Sequence, residues 1–196
     1  MVHSSNSVST PLVSKEPTTF YYLNLEGLSV NSNKFVQIQT HGNIVIDSGT
    51  TYTILSSHLY NQLESTLSNV TVDLTRAEDL TRTFRLCYED KPFARLPNIT
   101  FHFTGADLIL GPHNTFIEFN GLACLAILPS KDDFSIFGNV AQRNFLVTYD
   151  LEERKVSFAS TRCSSTSYYS DGVLHLHPST LLLLLSLSMY KLLITS

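Results

Sequence analysis

The 196-residue chain contains no tryptophan, no basic cluster and only three cysteines, none of which lies in a C-x-x-C pair. The missing pair excludes a zinc finger and a thioredoxin-like site. With 13 Lys plus Arg against 17 Asp plus Glu, the net charge is −4, which argues against nucleic acid as the main partner. Hydrophobic residues nevertheless reach 43%, too many for a disordered chain, and no long heptads are present. The composition therefore indicates a globular domain.

A leader sequence is also missing, although other features are typical of a secreted protein. Residues 1–10 contain no apolar core and cannot form a signal peptide. Asn69 and Asn98 each begin an Asn-x-Thr sequon, which is an acceptor for glycosylation only in secreted proteins. An odd number of cysteines in an oxidising compartment implies one internal pair and one thiol whose partner lies elsewhere. We therefore expect the chain to be part of a longer secreted protein.

Alternating apolar and polar residues predict that short strands dominate the fold. The clearest alternation places Ile99, Phe101 and Phe103 on one face of a strand. A continuous apolar run at residues 43–46 is typical of a strand that is buried on both faces. Strands are predicted at residues 20–30, 36–38, 43–46, 99–103, 107–110, 115–119, 123–128, 144–149 and 155–159, with a hairpin turn at 150–154.

Helix is scarce in comparison. Leu59, Leu63 and Leu67 recur at a spacing of four residues, which predicts one amphipathic helix, and Ser56 is placed to cap it. Shorter helices are predicted at residues 77–83 and near 140–144. Many short strands with few helices favour an all-β class, with a barrel or a sandwich-like lobe.

The composition changes after residue 163 into a polar spacer followed by a hydrophobic tail, residues 164–196. The apolar stretch at 181–194 is shorter than the about 20 residues that span a bilayer, and it contains Lys191. A run of this kind at the end of a chain resembles a signal for attachment of a lipid anchor, which would give membrane attachment. The alternative, a tail without a structural role, stays open.

One short motif combines a strand with a carboxylate at a tight turn. The apolar residues Ile44–Ile46 lead directly into Asp47, Ser48, Gly49 and Thr50. The glycine allows close backbone approach, and the hydroxyls can donate hydrogen bonds to the carboxylate. Downstream, Ile136, Phe137 and Gly138 offer two bulky apolar side chains and a glycine that can pack against such a turn. This pattern is suited to holding a carboxylate in a fixed place.

Other reactive residues lack a supporting context. His41, His58, His102 and His113 have no serine or cysteine nucleophile signature around them. The pair at His175 and His177 lies in the tail without a third ligand, so we expect no metal site. The phosphate-binding and metalloprotease motifs are absent, and no cofactor is expected. No other aspartate is followed by a hydroxyl, a glycine and a second hydroxyl as Asp47 is, and we interpret the remaining aspartates as surface or turn residues.

Several sequence blocks together resemble the pepsin-like aspartic endopeptidases, in particular the plant nepenthesin type. They are residues 9–13, 19–23, the turn at 47–50, 86–88 and 134–149, in the order in which that family has them. The resemblance implies the carboxyl-terminal lobe of the double-β-barrel aspartic protease fold at residues 11–163. Residues 1–10 would then be the remnant of an inter-lobe segment.

The resemblance also implies roles for particular residues. Asp47 takes the place of the second catalytic aspartate, Ser48 the position that bonds across to the other lobe, and Thr50 the position that contacts the carboxylate. Cys87 and Cys124 take the place of the disulfide within the lobe. The full-length protein would be extracellular or apoplastic.

The chemistry of this family needs two carboxylates, of which one is protonated while the other activates water. The chain contains a single such motif, so the implied partners are a polypeptide substrate and an amino-terminal lobe that carries the other aspartate. The leading interpretation is an aspartic endopeptidase. The alternative is a catalytically inactive binding protein on the same fold, such as a xylanase-inhibitor-like protein. Pairing of two copies of Asp47 in a dimer is a third option.

Overall fold

The computed structural model describes residues 7–31, 33–36, 41–131 and 134–161, with the backbone alone at 33–36. The strands in these ranges are β1 Ser7–Pro11, β2 Tyr21–Leu23, β3 Leu25–Val30, β4 Asn33–Val36, β5 Ile44–Ile46, β6 Thr53–Leu55, β7 Arg76–Ala77, β8 Cys87–Tyr88, β9 Ile99–Phe103, β10 Ala106–Leu110, β11 Phe116–Phe119, β12 Leu122–Leu125, β13 Ile127–Pro129, β14 Ser135–Phe137, β15 Phe145–Asp150 and β16 Lys155–Ser160. The helices are α1 Ser57–Val70, α2 Pro112–Thr115 and α3 Asn139–Gln142, together with a 3-10 turn at Phe93–Arg95. The predicted all-β class is confirmed.

The strands form four small sheets. Three of them are antiparallel, with the orders β1-β16-β15, β10-β9-β3-β4 and β11-β12-β8-β7. The fourth, β13-β6-β14-β5-β2, contains two parallel pairs, β13 with β6 and β14 with β5. This mixed sheet brings the ends of β5 and β14 together.

One hydrophobic core joins these sheets. Phe101, Phe103 and Phe158 each contact the ring of the fully buried Phe137, at centroid distances of 5.3, 5.6 and 6.0 Å. The predicted alternation of β9 is confirmed, because Ile99, Phe101 and Phe103 are its buried residues.

The predicted long helix is confirmed as α1, which buries Leu59, Leu63 and Leu67 against this core. Ser56 lies at its N-cap position, but the Ser56 side chain makes no capping hydrogen bond. The backbone N–H of Ser56 instead donates a hydrogen bond to the Ser135 hydroxyl at 3.0 Å.

Two predicted strands are divided in the structure. The segment 20–30 breaks at Asn24, and the side chain of Asn43 forms hydrogen bonds of 2.8 Å with both the N–H and the carbonyl of Leu25. The segment 123–128 breaks at Ala126, whose N–H donates to Thr115 while its carbonyl accepts from Thr53. In each place the chain leaves one sheet for another, and a continuous apolar pattern does not reveal that change.

The helix predicted at 77–83 is wrong. The chain there leaves β7 and forms a loop around Asp79, a residue that is only 7% exposed. The Asp79 carboxylate accepts hydrogen bonds from the N–H groups of Thr81, Thr83 and Phe84. An aspartate that binds nearby backbone donors in this way competes with helix formation. The helix predicted near 140–144 is present as α3, displaced to Asn139–Gln142.

The ends of the chain are described in part. β1 spans residues 10 and 11 and pairs with β16. The domain boundary predicted between these two residues stays a prediction. Cys163, the two tail histidines and the hydrophobic tail lie outside the described residues. Among the residues that are described, no helix has the length and apolar character needed to cross a membrane.

Candidate active site

The candidate site lies where β5 and β14 end side by side. These two strands run parallel, with Ile46 opposite Phe137, and the N–H of Asp47 donates to the Phe137 carbonyl at 3.1 Å. β14 is also the strand between β5 and β6, which enter and leave the turn at residues 47–50. The turn is therefore fixed at both ends by strands of one sheet.

The Asp47 carboxylate receives one hydrogen bond on each oxygen. The Gly49 N–H donates to Oδ1 at 2.8 Å, and the Thr50 hydroxyl donates to Oδ2 at 2.7 Å. These two bonds, of which the bond from Thr50 has the larger effect, lower the pKa of Asp47, while burial opposes them weakly. The arrangement holds an ionised carboxylate in one orientation.

The segment after β14 locks the turn from behind. The Asn139 N–H donates to the Thr50 carbonyl at 2.7 Å, and the Val140 N–H donates to the Thr51 carbonyl at 3.0 Å. At Gly138 the two segments approach so closely that an added Cβ would lie 2.3 Å from the Tyr52 carbonyl oxygen. Only a glycine fits at this position without displacing the neighbouring backbone.

The remaining two residues of the predicted packing motif contribute differently. Ile136 is half-buried and pairs with Val45 on one side and with Ile54 on the other. Phe137 is fully buried and belongs to the aromatic core. Ile136, Phe137 and Gly138 therefore lie on the strand and in the segment beside the turn.

The open side of the turn faces solvent. Ser48 is exposed, and within the described residues its hydroxyl makes no hydrogen bond, although its carbonyl accepts from the Asn139 amide at 3.4 Å. Asp47 is half-buried, and no other carboxyl contributes to its pKa shift. A carboxylate in this position is accessible to water and to a second acidic group from outside.

Two tyrosines beside the turn were not singled out from the sequence. Tyr21 pairs with Ile46 in the sheet, and its ring lies 4.8 Å from the ring of Tyr149 on β15. Burial, Tyr21 and the negative charge of Asp47 raise the pKa of Tyr149. The strand pattern identified both segments, but their proximity to Asp47 depends on sheet order.

The other predicted residues lie elsewhere on the lobe. Cys87 and Cys124 are opposite each other on β8 and β12 and form a disulfide with an S–S distance of 2.04 Å. Asn69 on α1 and Asn98 before β9 are both exposed, and their glycosylation stays a prediction. Within the ranges described, no group of three or more His, Cys, Asp or Glu side chains is placed to hold a metal ion.

One histidine has partners that no sequence motif revealed. His102 contacts the Ser29 hydroxyl through Nε2 at 2.9 Å and Asp107 through Nδ1 at 2.6 Å. No sequence motif links a nucleophile to His102, because Ser29 is 73 residues away in the chain.

Comparisons with known proteins find relatives over most of the chain. A family model described as "Xylanase inhibitor C-terminal" matches residues 20–160. A probable aspartic protease of Arabidopsis thaliana is 40% identical over 176 residues, which is 82% of this chain and 39% of that protein. Aspartic proteinase nepenthesin-1 of Nepenthes gracilis is 36% identical over 177 residues, 83% of this chain and 40% of that protein.

Solved structures support the same fold. Conglutin gamma, a basic 7S globulin from lupine seeds, superimposes with a TM-score of 0.71 at 20% identity over 82% of this chain and 42% of that chain. The chain spans about two fifths of the length of the curated relatives it matches. The chain therefore belongs to the xylanase inhibitor C-terminal family and is a plant-type, pepsin-like carboxyl-terminal lobe, related in sequence to aspartic proteases that include nepenthesin.

Proposed function

We propose that the chain supplies one of the two catalytic carboxylates of an aspartic endopeptidase, and that Asp47 is that carboxylate. The observation that carries the proposal is the geometry of the turn. A donor on each carboxylate oxygen holds Asp47 ionised, and the open side of the turn leaves it accessible. The protease relatives support a polypeptide substrate.

The reaction divides between two acidic groups. Two carboxyls that share one site cannot both ionise, so one keeps a proton while the other activates the attacking water. The hydrogen bonds from Gly49 and Thr50 stabilise the charged form of Asp47, which suits the ionised member of the pair. The pair titrates as a unit, so the second carboxyl is as necessary as Asp47.

An amino-terminal lobe is the proposed source of the second carboxyl. Ser48, with its exposed hydroxyl, is the proposed contact to that lobe. Phe20, Tyr21 and Leu151 are large exposed apolar residues that line one pocket of about 240 Å³. Apolar surface of this kind is suited to burial against another protein surface.

A binding protein without proteolytic activity is the second candidate. The family model that matches the chain is described as a xylanase inhibitor domain, and the structural neighbours include seed globulins. A binding protein does not require the Asp47 carboxylate to be ionised and paired. The effect of removing that carboxylate therefore separates the two candidates.

The test is proteolysis after assembly with an amino-terminal lobe. The 196-residue chain is produced as one polypeptide behind the amino-terminal part of nepenthesin-1, and cleavage of a denatured protein is measured between about pH 2 and pH 7, a range that brackets carboxylate titration. We expect cleavage at acidic pH that is abolished by Asp47→Asn. The matched control is Asp90→Asn at an exposed position with φ of 56°, which asparagine also adopts.

The outcomes of this assay separate the candidates. Loss of cleavage in Asp47→Asn, with full cleavage in Asp90→Asn, supports the endopeptidase. Cleavage that survives Asp47→Asn contradicts the role of Asp47. An assembly that folds, binds a xylanase and cleaves nothing supports the binding protein instead.

We also propose that the full-length protein acts outside the cell, in the secretory pathway or the apoplast. The Cys87–Cys124 disulfide requires an oxidising compartment, and both sequon asparagines are exposed. Expression through a plant secretory pathway is expected to give a glycosidase-sensitive mass shift that is removed by Asn69→Gln with Asn98→Gln. Absence of the shift in a secreted product would contradict the proposal.

Membrane attachment through residues 164–196 stays a prediction.

A further inference from the structure

The outer face of the sheet β10-β9-β3-β4 carries a hydrogen-bonded serine, histidine and aspartate that the proposed endopeptidase does not use. Ser29 Oγ lies 2.9 Å from His102 Nε2, and Asp107 Oδ1 lies 2.6 Å from His102 Nδ1. The three residues come from three adjacent strands, β3, β9 and β10. We propose that Ser29, His102 and Asp107 form a second hydrolytic site that acts on small esters.

Strand register explains how the three side chains meet. His102 is directly opposite Asp107 on β10 and opposite Gly27 on β3. Gly27 has no side chain on that face, so the imidazole can extend diagonally to Ser29, two residues further along β3. Cross-strand neighbours at this diagonal are within reach of a long side chain. The fixed sheet thus holds the three groups without any loop.

With a neutral imidazole, the chemistry of the groups gives one consistent direction for the hydrogen bonds. An ionised carboxylate can only accept, so His102 donates from Nδ1 to Asp107. A neutral imidazole with its proton on Nδ1 has a lone pair on Nε2, and therefore the Ser29 hydroxyl donates to it. This is the order of roles in a serine hydrolase, where the histidine is the general base and the aspartate holds its tautomer.

The surroundings of Ser29 limit the substrate to small molecules. Ser29 is only 7% exposed, and the side chain of His102 is 12% exposed, while that of Asp107 is 69% exposed. Thr100 lies directly opposite Ser29 on β9, where its hydroxyl can donate to a developing oxyanion. Ile109, opposite Thr100, is 60% exposed and offers an apolar contact for a short acyl chain.

The reaction is a two-step acyl transfer. Ser29 Oγ attacks the carbonyl carbon of the ester while His102 Nε2 accepts the hydroxyl proton. That proton then passes to the leaving oxygen, which departs as the alcohol. Water, deprotonated by His102, hydrolyses acyl-Ser29 and releases the carboxylic acid, which restores the serine.

The first experiment uses p-nitrophenyl acetate and a fluorophosphonate probe with the full 196-residue chain. We expect nitrophenol release above the buffer rate and a single phosphonyl adduct that peptide mapping assigns to Ser29. An adduct on another residue, or no adduct, overturns the proposal. This measurement needs no variant, so misfolding of a mutant does not affect it.

Three variants complete the test. Ser29→Ala and His102→Gln are each expected to lower ester hydrolysis at least about tenfold, because nucleophile or base is lost. Ser157→Ala, which removes another half-buried sheet serine hydroxyl bonded to Ser9, is the control and is expected to leave the rate unchanged. Equal rates in wild type, Ser29→Ala and Ser157→Ala would show that the three residues are only a structural network.

Discussion

At the scale of single residues, Thr50 and Gly49 control the charge of Asp47. Their hydrogen bonds lower the pKa of the carboxyl in the folded chain below its unfolded value. An acid whose pKa is lower in the folded chain than in the unfolded chain stabilises the fold when it is ionised. This stabilisation is complete at pH values above the unfolded pKa, about 3.9 for aspartate, and it is lost as the pH falls through the folded pKa. The turn is therefore weakest in strong acid.

Replacing Thr50 tests this coupling. Thr50→Val removes the donor to Asp47 Oδ2, so we expect the pKa of Asp47 to rise, as measured by carboxyl NMR titration. The free energy of unfolding at pH 7 should fall by roughly 1 kcal/mol or less, because the carboxylate is half-exposed. At a pH below the folded pKa of Asp47, where the carboxyl is protonated in the folded and the unfolded chain, the variant and wild type should converge.

The control for this variant is a substitution of the next residue, Thr51. Thr51→Val removes a hydroxyl that makes no hydrogen bond to Asp47. An unchanged Asp47 pKa in Thr50→Val, or an equal rise in Thr51→Val, would contradict the role of the Thr50 hydroxyl.

Gly138 is the second residue on which the turn depends. In Gly138→Ala the new Cβ would meet the Tyr52 carbonyl oxygen at 2.3 Å and the Thr53 nitrogen at 2.9 Å, and both are backbone atoms. We expect a loss of about 3 kcal/mol in the free energy of unfolding, the upper end for overpacking, measured by denaturant unfolding. Gly111→Ala is the control, because the nearest atom lies at 3.9 Å and its φ is −73°. Equal stability of the two variants would contradict the prediction.

At the scale of elements, the disulfide joins the hairpin β11-β12 to β8. Its two cysteines form a small apolar cluster with Phe84, and the rings of Tyr52 and Phe119 pack on that residue at 5.2 and 5.0 Å. Tyr52 is also the residue whose carbonyl meets Gly138. The disulfide cluster therefore supports the strand that leaves the turn at residues 47–50.

Removing the disulfide is expected to destabilise the whole lobe. The bond joins residues 37 positions apart, and the chain-entropy model gives roughly 3 to 4 kcal/mol for a loop of that length. Cys87→Ala with Cys124→Ala should lower the free energy of unfolding by about that amount in denaturant titrations. Equal stability of the double variant and the oxidised wild type would contradict this. Comparison with the reduced wild type separates loss of the bond from changes in packing.

Elements with a strong local period were predictable from the sequence, and elements that depend on other segments were not. α1 and β9 follow directly from their apolar spacing. The break at Asn24 depends on Asn43, and the loop at 77–83 depends on the Asp79 carboxylate. In these two places a side chain forms hydrogen bonds with backbone groups that a regular helix or strand would pair. The spacing of apolar residues alone therefore predicts the wrong element there.

The same distinction applies to the candidate site. Asp47, Gly49 and Thr50 are contiguous, so their hydrogen bonds could be anticipated from the turn motif. The contact of Tyr21 with Tyr149 and that of Ser29 with His102 join distant segments. Their positions follow from strand order and register, which the sequence pattern does not specify.

At the scale of the whole molecule, the described part of the chain contains one turn in which a carboxylate accepts hydrogen bonds from a glycine N–H and a threonine hydroxyl. Tyr21, which pairs with Ile46 just before the turn, also lines an exposed pocket with Phe20 and Leu151. A surface of this kind favours association with another protein surface, including a second copy of the chain. Under the proposed function, proteolysis by the chain alone would therefore depend on its oligomeric state.

We expect the isolated 196-residue chain to have no peptidase activity as a monomer at any pH. Asp47 alone titrates as a single acid, and the shared proton that separates acid from base cannot form without a second carboxyl. The measurement is cleavage of a denatured protein between about pH 2 and pH 7, a range that brackets carboxylate titration, with sedimentation of the same samples to establish the oligomeric state. Cleavage that rises with dimer concentration and is lost in Asp47→Asn would show that two copies pair their aspartates. Robust cleavage by a chain that sediments strictly as a monomer would contradict the requirement for a second carboxyl.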